Sequence, residues 1–378
     1  MRVGAIRVRW SAWSAVVNPN SVGMAVWPLI LLLSTVTEAC TNILVSRGAS
    51  VDDNTMVTYN ADDVNLYGSL GHFPAADHAP DAQREIWDWD DAVYLGSIPE
   101  APRTYNVVGN VNEHGLIIAE TTFGGLQELD GHGTGAIMDY ASLIWVTLQR
   151  ARTAREAIAL MDKLVQQYGY ASDGESFSVA DGDEVWLLEM IGKGSYETGA
   201  LWVAMRVPEG LISATANQAR IRTFPRDDPD NCLYSADLVS FAQRIGLYPP
   251  SAPPEDFSFS DVFDPLTFSG ARHGEARVWT LFMSVTDGAV SSHASYAAGA
   301  DLTNRMPLFV RPSHQLSAKE TIELMRTHGE ETFLYPGVEH MHMHTHTRVH
   351  MHVHTCTHGE ETFLYPGVED DVGYLLTD

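Results

Sequence analysis

Polar and apolar positions alternate in short runs towards both ends of the chain's central region and follow helical spacing in its middle. Thr41 to Val45 and Thr55 to Tyr59 are β-type runs separated by Gly48, Asp52, Asp53 and Asn54, so they predict a hairpin whose first strand starts at Cys40. Tyr105 to Val108 and Leu116 to Thr122 predict a second strand pair around Asn112, Glu113, His114 and Gly115. Ile137, Ala141, Ile144, Trp145 and Leu148 then form one helical stripe. Ile158, Met161, Val165 and Tyr168 form the next, opened by a capping box of Thr153 and Glu156. Phe177 to Ala180 with Val185 to Met190 predict a hairpin around Asp181-Gly182-Asp183. Leu201 to Val207 with Leu211 to Ala216 predict another around Pro208-Glu209-Gly210.

Other stretches are less regular. Residues 72–104 hold Pro74, Pro80, Pro99 and Pro102 and read as a long, partly ordered connection. Residues 224–265 carry one short helical pattern, from Leu238 to Ile245, and Ser317 with Glu320 forms a second capping box. Strands, two adjacent helices and strands again predict an α+β chain with helices layered against stacked antiparallel sheets.

The first 39 residues have another character. Arg2, Arg7 and Arg9 precede an apolar run over residues 24–36, and the small Ala39 stands just before Cys40. This pattern predicts a signal-like leader or a self-cleaved propeptide over 1–39, and through it a secretory, lysosomal or extracellular location. Pro28 interrupts the run, which is short for a membrane span, so no stable membrane insertion is expected. A main domain is expected over 40–339.

The segment 340–378 is set apart by its sequence. Thr327 to Glu339 recurs identically as Thr357 to Glu369, and eight histidines fall between His340 and His358. A histidine tract without an acidic supporting shell, inside a perfect duplication, reads as a repeat rather than a metal site or functional domain.

Charge narrows the partners. The formal net charge is −26, which disfavours nucleic acid and anionic membrane as main partners. Three cysteines, Cys40, Cys232 and Cys356, allow at most one disulfide. No Asn-x-Ser/Thr acceptor occurs.

Cys40 has three readings on its own: an inert buried thiol, a lipidated cysteine behind an apolar leader, or a nucleophile. Cutting after Ala39 would put a thiol and a free α-amine on one residue. An unperturbed α-amine has a pKa of about 7.7–8.0 and a thiol about 8.5, so the amine can take the thiol's proton near neutral pH.

Four further stretches accompany it: Asn60-Ala61-Asp62, Gly109 to Leu116, Ala216 to Ile221, and Glu275-Ala276-Arg277. Together with Cys40-Thr41-Asn42-Ile43-Leu44-Val45 they resemble the PepD-like dipeptidases, relatives of the secernins among the cysteine N-terminal-nucleophile hydrolases. The resemblance runs to about Met325 and includes Gly174 to Phe177 and Val185 to Gly192.

It implies a four-layer αββα fold, small peptide substrates and no metal or organic cofactor. Cys40 matches the nucleophile, Asp62 the aspartate that orients its α-amine, and Asn217 an amide donor to the oxyanion. Thr122 matches the second oxyanion contact, and Arg277 a cation that favours the thiolate. The resemblance is also compatible with a homo-oligomer.

Two departures stand out. Tyr59 occupies the position, three residues before Asp62, where related chains often carry arginine. Related chains also continue beyond the part matching 317–339, which predicts a C-terminally truncated fold here. The expected activity is a cysteine dipeptidase. The alternatives are an acylase for non-peptide linear amides or a non-catalytic, secernin-like paralogue.

Overall fold

The computed structural model describes residues 39–62 and 70–326, and beyond them the backbone of three short strands within 350–376. Residues 1–38 of the leader, the first copy of the duplicated segment and residues 340–349 lie outside the described residues.

We label the elements that build the site. They are strands β1 (Ala39–Val45), β2 (Thr55–Asp62), β3 (Ile117–Gly124), β4 (Gly174–Ala180), β5 (Val185–Gly192), β6 (Ala200–Arg206), β7 (Ile212–Thr215) and β8 (His350–Cys356). The helices are α1 (Tyr140–Leu148), α2 (Ala154–Tyr168), α3 (Ala276–Val285) and α4 (Ala318–Met325).

These strands form two antiparallel sheets, so the chain is α+β. One sheet runs in the order β7-β1-β2-β8, followed by Glu361–Leu364 and Leu375–Leu376. The other contains β6-β5-β4-β3, flanked by Cys232–Tyr234 beside β6 and by Val111–Asn112, Val107–Val108 and His72–Phe73 beyond β3.

Alternation along each strand decides what it faces. Leu44 and Val57 join Ile117, Ala119, Leu187 and Val203 in one apolar cluster, which fastens the two sheets together. Ile118, Phe177, Val179 and Leu188 point the other way, onto Leu143, Ile158, Met161 and Val165 of α1 and α2. Ile43, Val45, Met56 and Ala214 pack with Val278, Trp279, Phe282 and Met325 of α3 and α4.

Several local readings meet corrections. β6 and β7 are not a hairpin: the turn at Pro208 to Leu211 forms, but β7 leaves it to pair with β1 in the other sheet. A turn signal is local and carries no information about which sheet the next strand joins. Residues 72–104 are ordered, with a hairpin of Gln83–Trp87 and Tyr94–Pro99 and shorter pairings around it. Their prolines sit between strands or at a strand's last residue, where no ladder donor is missed.

The capping box at α2 is also altered. Thr153 caps Glu156 N, but the Glu156 carboxylate reaches Arg152 N at 2.9 Å. At α4 both halves of the Ser317–Glu320 box form. The backbone of His350–Cys356, within the segment set apart on sequence, pairs with β2 from Ala61 to Thr55.

Candidate active site

β1 brings Cys40 to the edge of the space between the sheets. Cys40 lies opposite Ala61, and Thr41 opposite Asn60, so Cys40 and Asn42 share the face that carries Leu44. Cys40 is 9% exposed. Two residues on, Asn42 Nδ2 donates to Glu120 O at 3.0 Å and Ser178 Oγ at 3.3 Å, tying β1 to the second sheet. Thr121 Oγ1 donates to Thr215 Oγ1 at 3.0 Å and ties β7 in the same way.

Asn217, just after β7, is the hub. Its Oδ1 accepts from Cys40 N at 2.8 Å and from Arg277 Nη2 at 2.7 Å, while its Nδ2 donates to Thr122 O at 2.6 Å. Two donors on one side and an acceptor on the other fix which way the amide faces. Its φ is +55°, a left-handed conformation that asparagine tolerates better than most residues.

Arg277, in the first turn of α3, reaches the same place from the helix side. Its Nη1 donates to Cys40 O at 2.6 Å and Thr41 Oγ1 at 2.7 Å, and its Nη2 also meets Ala216 O at 3.2 Å. Its Nε is held by His273 O at 2.6 Å. The preceding residues 270–275 form a π-helical turn, and Gly274 lets it approach closely. A Cβ there would stand 2.5 Å from Ala216 O.

The segment after Asn217 is held by buried carboxyl groups. Asp264 Oδ2 accepts from Ala219 N at 2.8 Å and from Gln218 Nε2, and burial pushes the Asp264 carboxyl up to about 7. Glu189 accepts from Arg220 N at 2.6 Å and Ile221 N at 3.0 Å. Arg220 pairs with Glu275 at 2.8 Å, and Glu275 also accepts from Tyr296 OH at 2.9 Å.

On the face of the second sheet that also carries Ile118, Phe177 and Val179 lies a carboxyl pair, Glu120 and Glu175, that the sequence reading left without a role. Tyr59 OH donates to Glu120 Oε1 at 2.5 Å, and Thr122 Oγ1 donates to Glu175 Oε1 at 2.9 Å. Glu120 and Glu175 are 3% and 1% exposed. Burial first, and then each other's charge in the case of Glu175, raises both carboxyls above the usual range. Tyr59 is raised by burial, by Glu120 and by Cys40.

Thus Cys40, Asn217, Thr122 and Arg277 come together in one connected set. Thr122 enters it through its carbonyl, an acceptor. Asp62 pairs with Ala39 through the backbone of β1 and β2, and its side chain lies outside the described set. Glu120, Glu175, Glu189 and Asp264 were missed. The signal available for Glu120 was a carboxylate after the apolar start of β3, Ile117-Ile118-Ala119; Glu175, in Gly-Glu-Ser at the start of β4, carried none.

Comparison with known proteins places the chain in a family. The pattern of peptidase family C69 matches residues 72–354, a span that begins after Cys40 and holds Thr122, Asn217 and Arg277. The chain belongs to peptidase family C69.

Relatives of this chain point the same way. A probable dipeptidase of Salmonella dublin is 28% identical over 321 residues, covering 80% of the chain and 69% of the relative. A probable dipeptidase A of Streptococcus pyogenes serotype M18 is 30% identical over 317 residues, covering 78% and 62%. Dipeptidase A of Lactobacillus helveticus is 25% identical over 273 residues, covering 64% and 53%. The chain therefore spans between about half and two thirds of the length of these relatives. Among the described residues no helix of the C69 chain is long and apolar enough to cross a membrane.

Proposed function

We propose that this C69 chain is a cysteine dipeptidase of the N-terminal-nucleophile type, with Cys40 as the first residue of its mature form. The observation that carries the reading is the 2.8 Å bond from Cys40 N to Asn217 Oδ1, in a site where Arg277 grips both residues. Helices against the outer face of each sheet, with an apolar cluster between the sheets, support a four-layer αββα arrangement. The names of the relatives favour a dipeptide over other linear amides.

Cleavage between Ala39 and Cys40 turns Cys40 N into an α-amine that still faces Asn217 Oδ1. The amine takes the thiol's proton, and the thiolate attacks the carbonyl carbon of the peptide bond. Asn217 Nδ2 carries two N–H groups; one is used on Thr122 O, and the second serves the oxyanion of the tetrahedral intermediate. Collapse breaks the C–N bond, the α-ammonium protonates the leaving amine, and a thioester remains on Cys40. Water then adds, the α-amine again takes a proton, and the first amino acid leaves as the thiol re-forms.

In this scheme Asp62 orients the α-amine from the strand opposite. Arg277 favours the thiolate by its charge and holds Cys40 and Asn217 in register. Thr122 fixes the Asn217 amide through its carbonyl.

The test joins N-terminal sequencing of the natural protein, iodoacetamide labelling and dipeptide hydrolysis. The expected protein starts at Cys40, is alkylated there with loss of activity, and loses hydrolysis on Cys40→Ala while unfolding at an unchanged temperature. An active protein that begins upstream and carries an unreactive Cys40 would overturn the reading.

A further inference from the structure

Cleavage after Ala39 makes Cys40 a chain end, and a chain end frays unless something ties it down. Arg277 ties Cys40 and Thr41 to α3. The oxyanion donor is set from the second sheet instead, because Asn217 Nδ2 rests on Thr122 O of β3 at 2.6 Å. Thiol and donor have to meet one carbonyl group, so Cys40 must be fixed against β3 as well.

We propose that Asn42 does this: it is a positioning residue that sets where along β3 the nucleophile stands relative to the Asn217 amide. This role rests on the reading of Cys40 as nucleophile and Asn217 as oxyanion donor, and adds what aligns the two.

Backbone groups along a strand point alternately to either side, so the carbonyls of residues 118, 120 and 122 share one side of β3. Ile118 marks it as the side away from β4: its N donates to Asn110 O at 3.1 Å, and its O accepts from Asn110 Nδ2 at 2.7 Å. Next on this side, Glu120 O accepts from Asn42 Nδ2 at 3.0 Å, and Thr122 O from Asn217 Nδ2 at 2.6 Å. Two side-chain amides, one on β1 and one just after β7, thus dock on alternate carbonyls about 6.6 Å apart along the strand.

The bond from Cys40 N to Asn217 Oδ1 closes a ring. It runs from Cys40 to Asn217, on to Thr122, along β3 to Glu120, across to Asn42 and back along β1. Sliding β1 against β3 breaks one of its bonds, so the ring holds the thiol in register with the oxyanion donor.

Burial points to the donor as the part that matters. Asn42 is fully buried between Cys40 and Leu44 on the face packed against the second sheet. Its Nδ2 is engaged by Glu120 O and Ser178 Oγ, while its Oδ1 is buried and meets no donor among the described residues. An apolar side chain such as Leu44 would fill the place without leaving an acceptor unmatched. Stability alone therefore does not account for an amide at this position.

The experiment compares Asn42→Ala, Asn42→Leu and Thr55→Val in the full-length chain. Leucine restores the volume without the donor. Thr55, at the other end of β2 from the strand's pairing with Cys40, donates through Oγ1 to Asp181 O at 2.5 Å and ties the same two sheets there. For each variant, kcat and KM on alanyl-alanine, the rate of Cys40 alkylation by iodoacetamide and the unfolding temperature are measured. Rates are taken per molecule that starts at Cys40, counted by N-terminal sequencing.

Both Asn42 variants are expected to lose about 10²-fold in kcat with KM within about threefold of wild type. Their Cys40 should be alkylated within about threefold of the wild-type rate, because alkylation needs the thiolate but not its alignment with Asn217. Thr55→Val should lower the unfolding temperature and leave kcat within about threefold.

Folded Asn42 variants that keep kcat within about threefold of wild type overturn the proposal. So does an alkylation rate that falls as far as kcat, or a loss on Thr55→Val equal to that on Asn42→Leu. Failure of both Asn42 variants to fold overturns it too, by making the residue a structural tie. Wild-type protein that hydrolyses no dipeptide is a separate result, which fails the dipeptidase reading and this role with it.

Discussion

Two polar networks near Cys40 are built from opposite charge. Towards α3, Arg277 and Arg220 spread their donors over carbonyls, Asn217 and Glu275, and Glu189 and Asp264 accept from backbone N–H groups. On the helix-facing side of β3 and β4, Glu120 and Glu175 hydrogen-bond to each other among tyrosines and aspartates, with both carboxyls buried. A polar network whose members bind one another holds its parts in fixed positions. The first network therefore suits holding a nucleophile in place, and the second is a buried acidic pair between its sheet and the helices.

The largest break in this comparison comes from Arg277. Its guanidinium donates to Cys40 O, Thr41 Oγ1, Ala216 O, Asn217 Oδ1 and His273 O, so Arg277→Met releases the nucleophile and the amide hub together. Turnover is expected to fall by about 10³ or more, with substrate affinity changing far less. Arg277→Lys keeps the charge but not the fork. A lysine variant within tenfold of wild type would show that charge, and not grip, is what Arg277 supplies.

Asn217→Ala comes next. It removes one oxyanion donor and the acceptor for Cys40 N, and turnover should fall by about 10²–10³. A rise in KM with turnover unchanged would make Asn217 a substrate-binding group instead.

What the sequence made legible follows this same division. Cys40, Asn217 and Arg277 could be matched because each stands in a compact stretch of several characteristic residues. The acidic side is assembled from single residues on three strands of two sheets: Tyr59 on β2, Glu120 on β3 and Glu175 on β4. Only the strand register brings them together, and no local pattern encodes it. The hairpin expected from β6 to β7 failed for the same reason, since the 208–211 turn forms as read while the partner of β7 lies far earlier in the chain, in pairs such as Asn42 with Thr215.

A smaller effect tests whether the braced side depends on its carboxylates. Burial raises Asp264 to about 7, with Glu275 adding to the rise and Arg305 opposing it. An ordinary aspartate ionises near 4, so between about pH 4 and 7 the unfolded chain has lost a proton that the folded one retains. This group therefore makes unfolding easier as pH rises through that window, with no further change above it. Asp264→Asn should flatten that dependence in urea melts taken from pH 5 to 8. A slope identical to wild type would mean that Asp264 is ionised throughout and contributes only its bonds to Ala219 N and Gln218 Nε2.

The smallest effect is expected at the second buried thiol, and it sharpens what is special about the first. Cys232 is 3% exposed in the apolar cluster between the sheets, and burial, reinforced by Asp228, pushes its thiol up to about 12. Only the thiolate reacts with iodoacetamide, so at pH 8 Cys232 should stay unmodified in the native protein while Cys40, beside Arg277, is alkylated. Peptide mapping separates both from Cys356. Cys232→Ala should lower the unfolding temperature slightly and leave turnover within twofold of wild type, because this thiol serves as a small apolar side chain. Equal labelling of Cys232 and Cys40 would mean that burial alone, and not the Asn217–Arg277 constellation, governs how the two thiols behave.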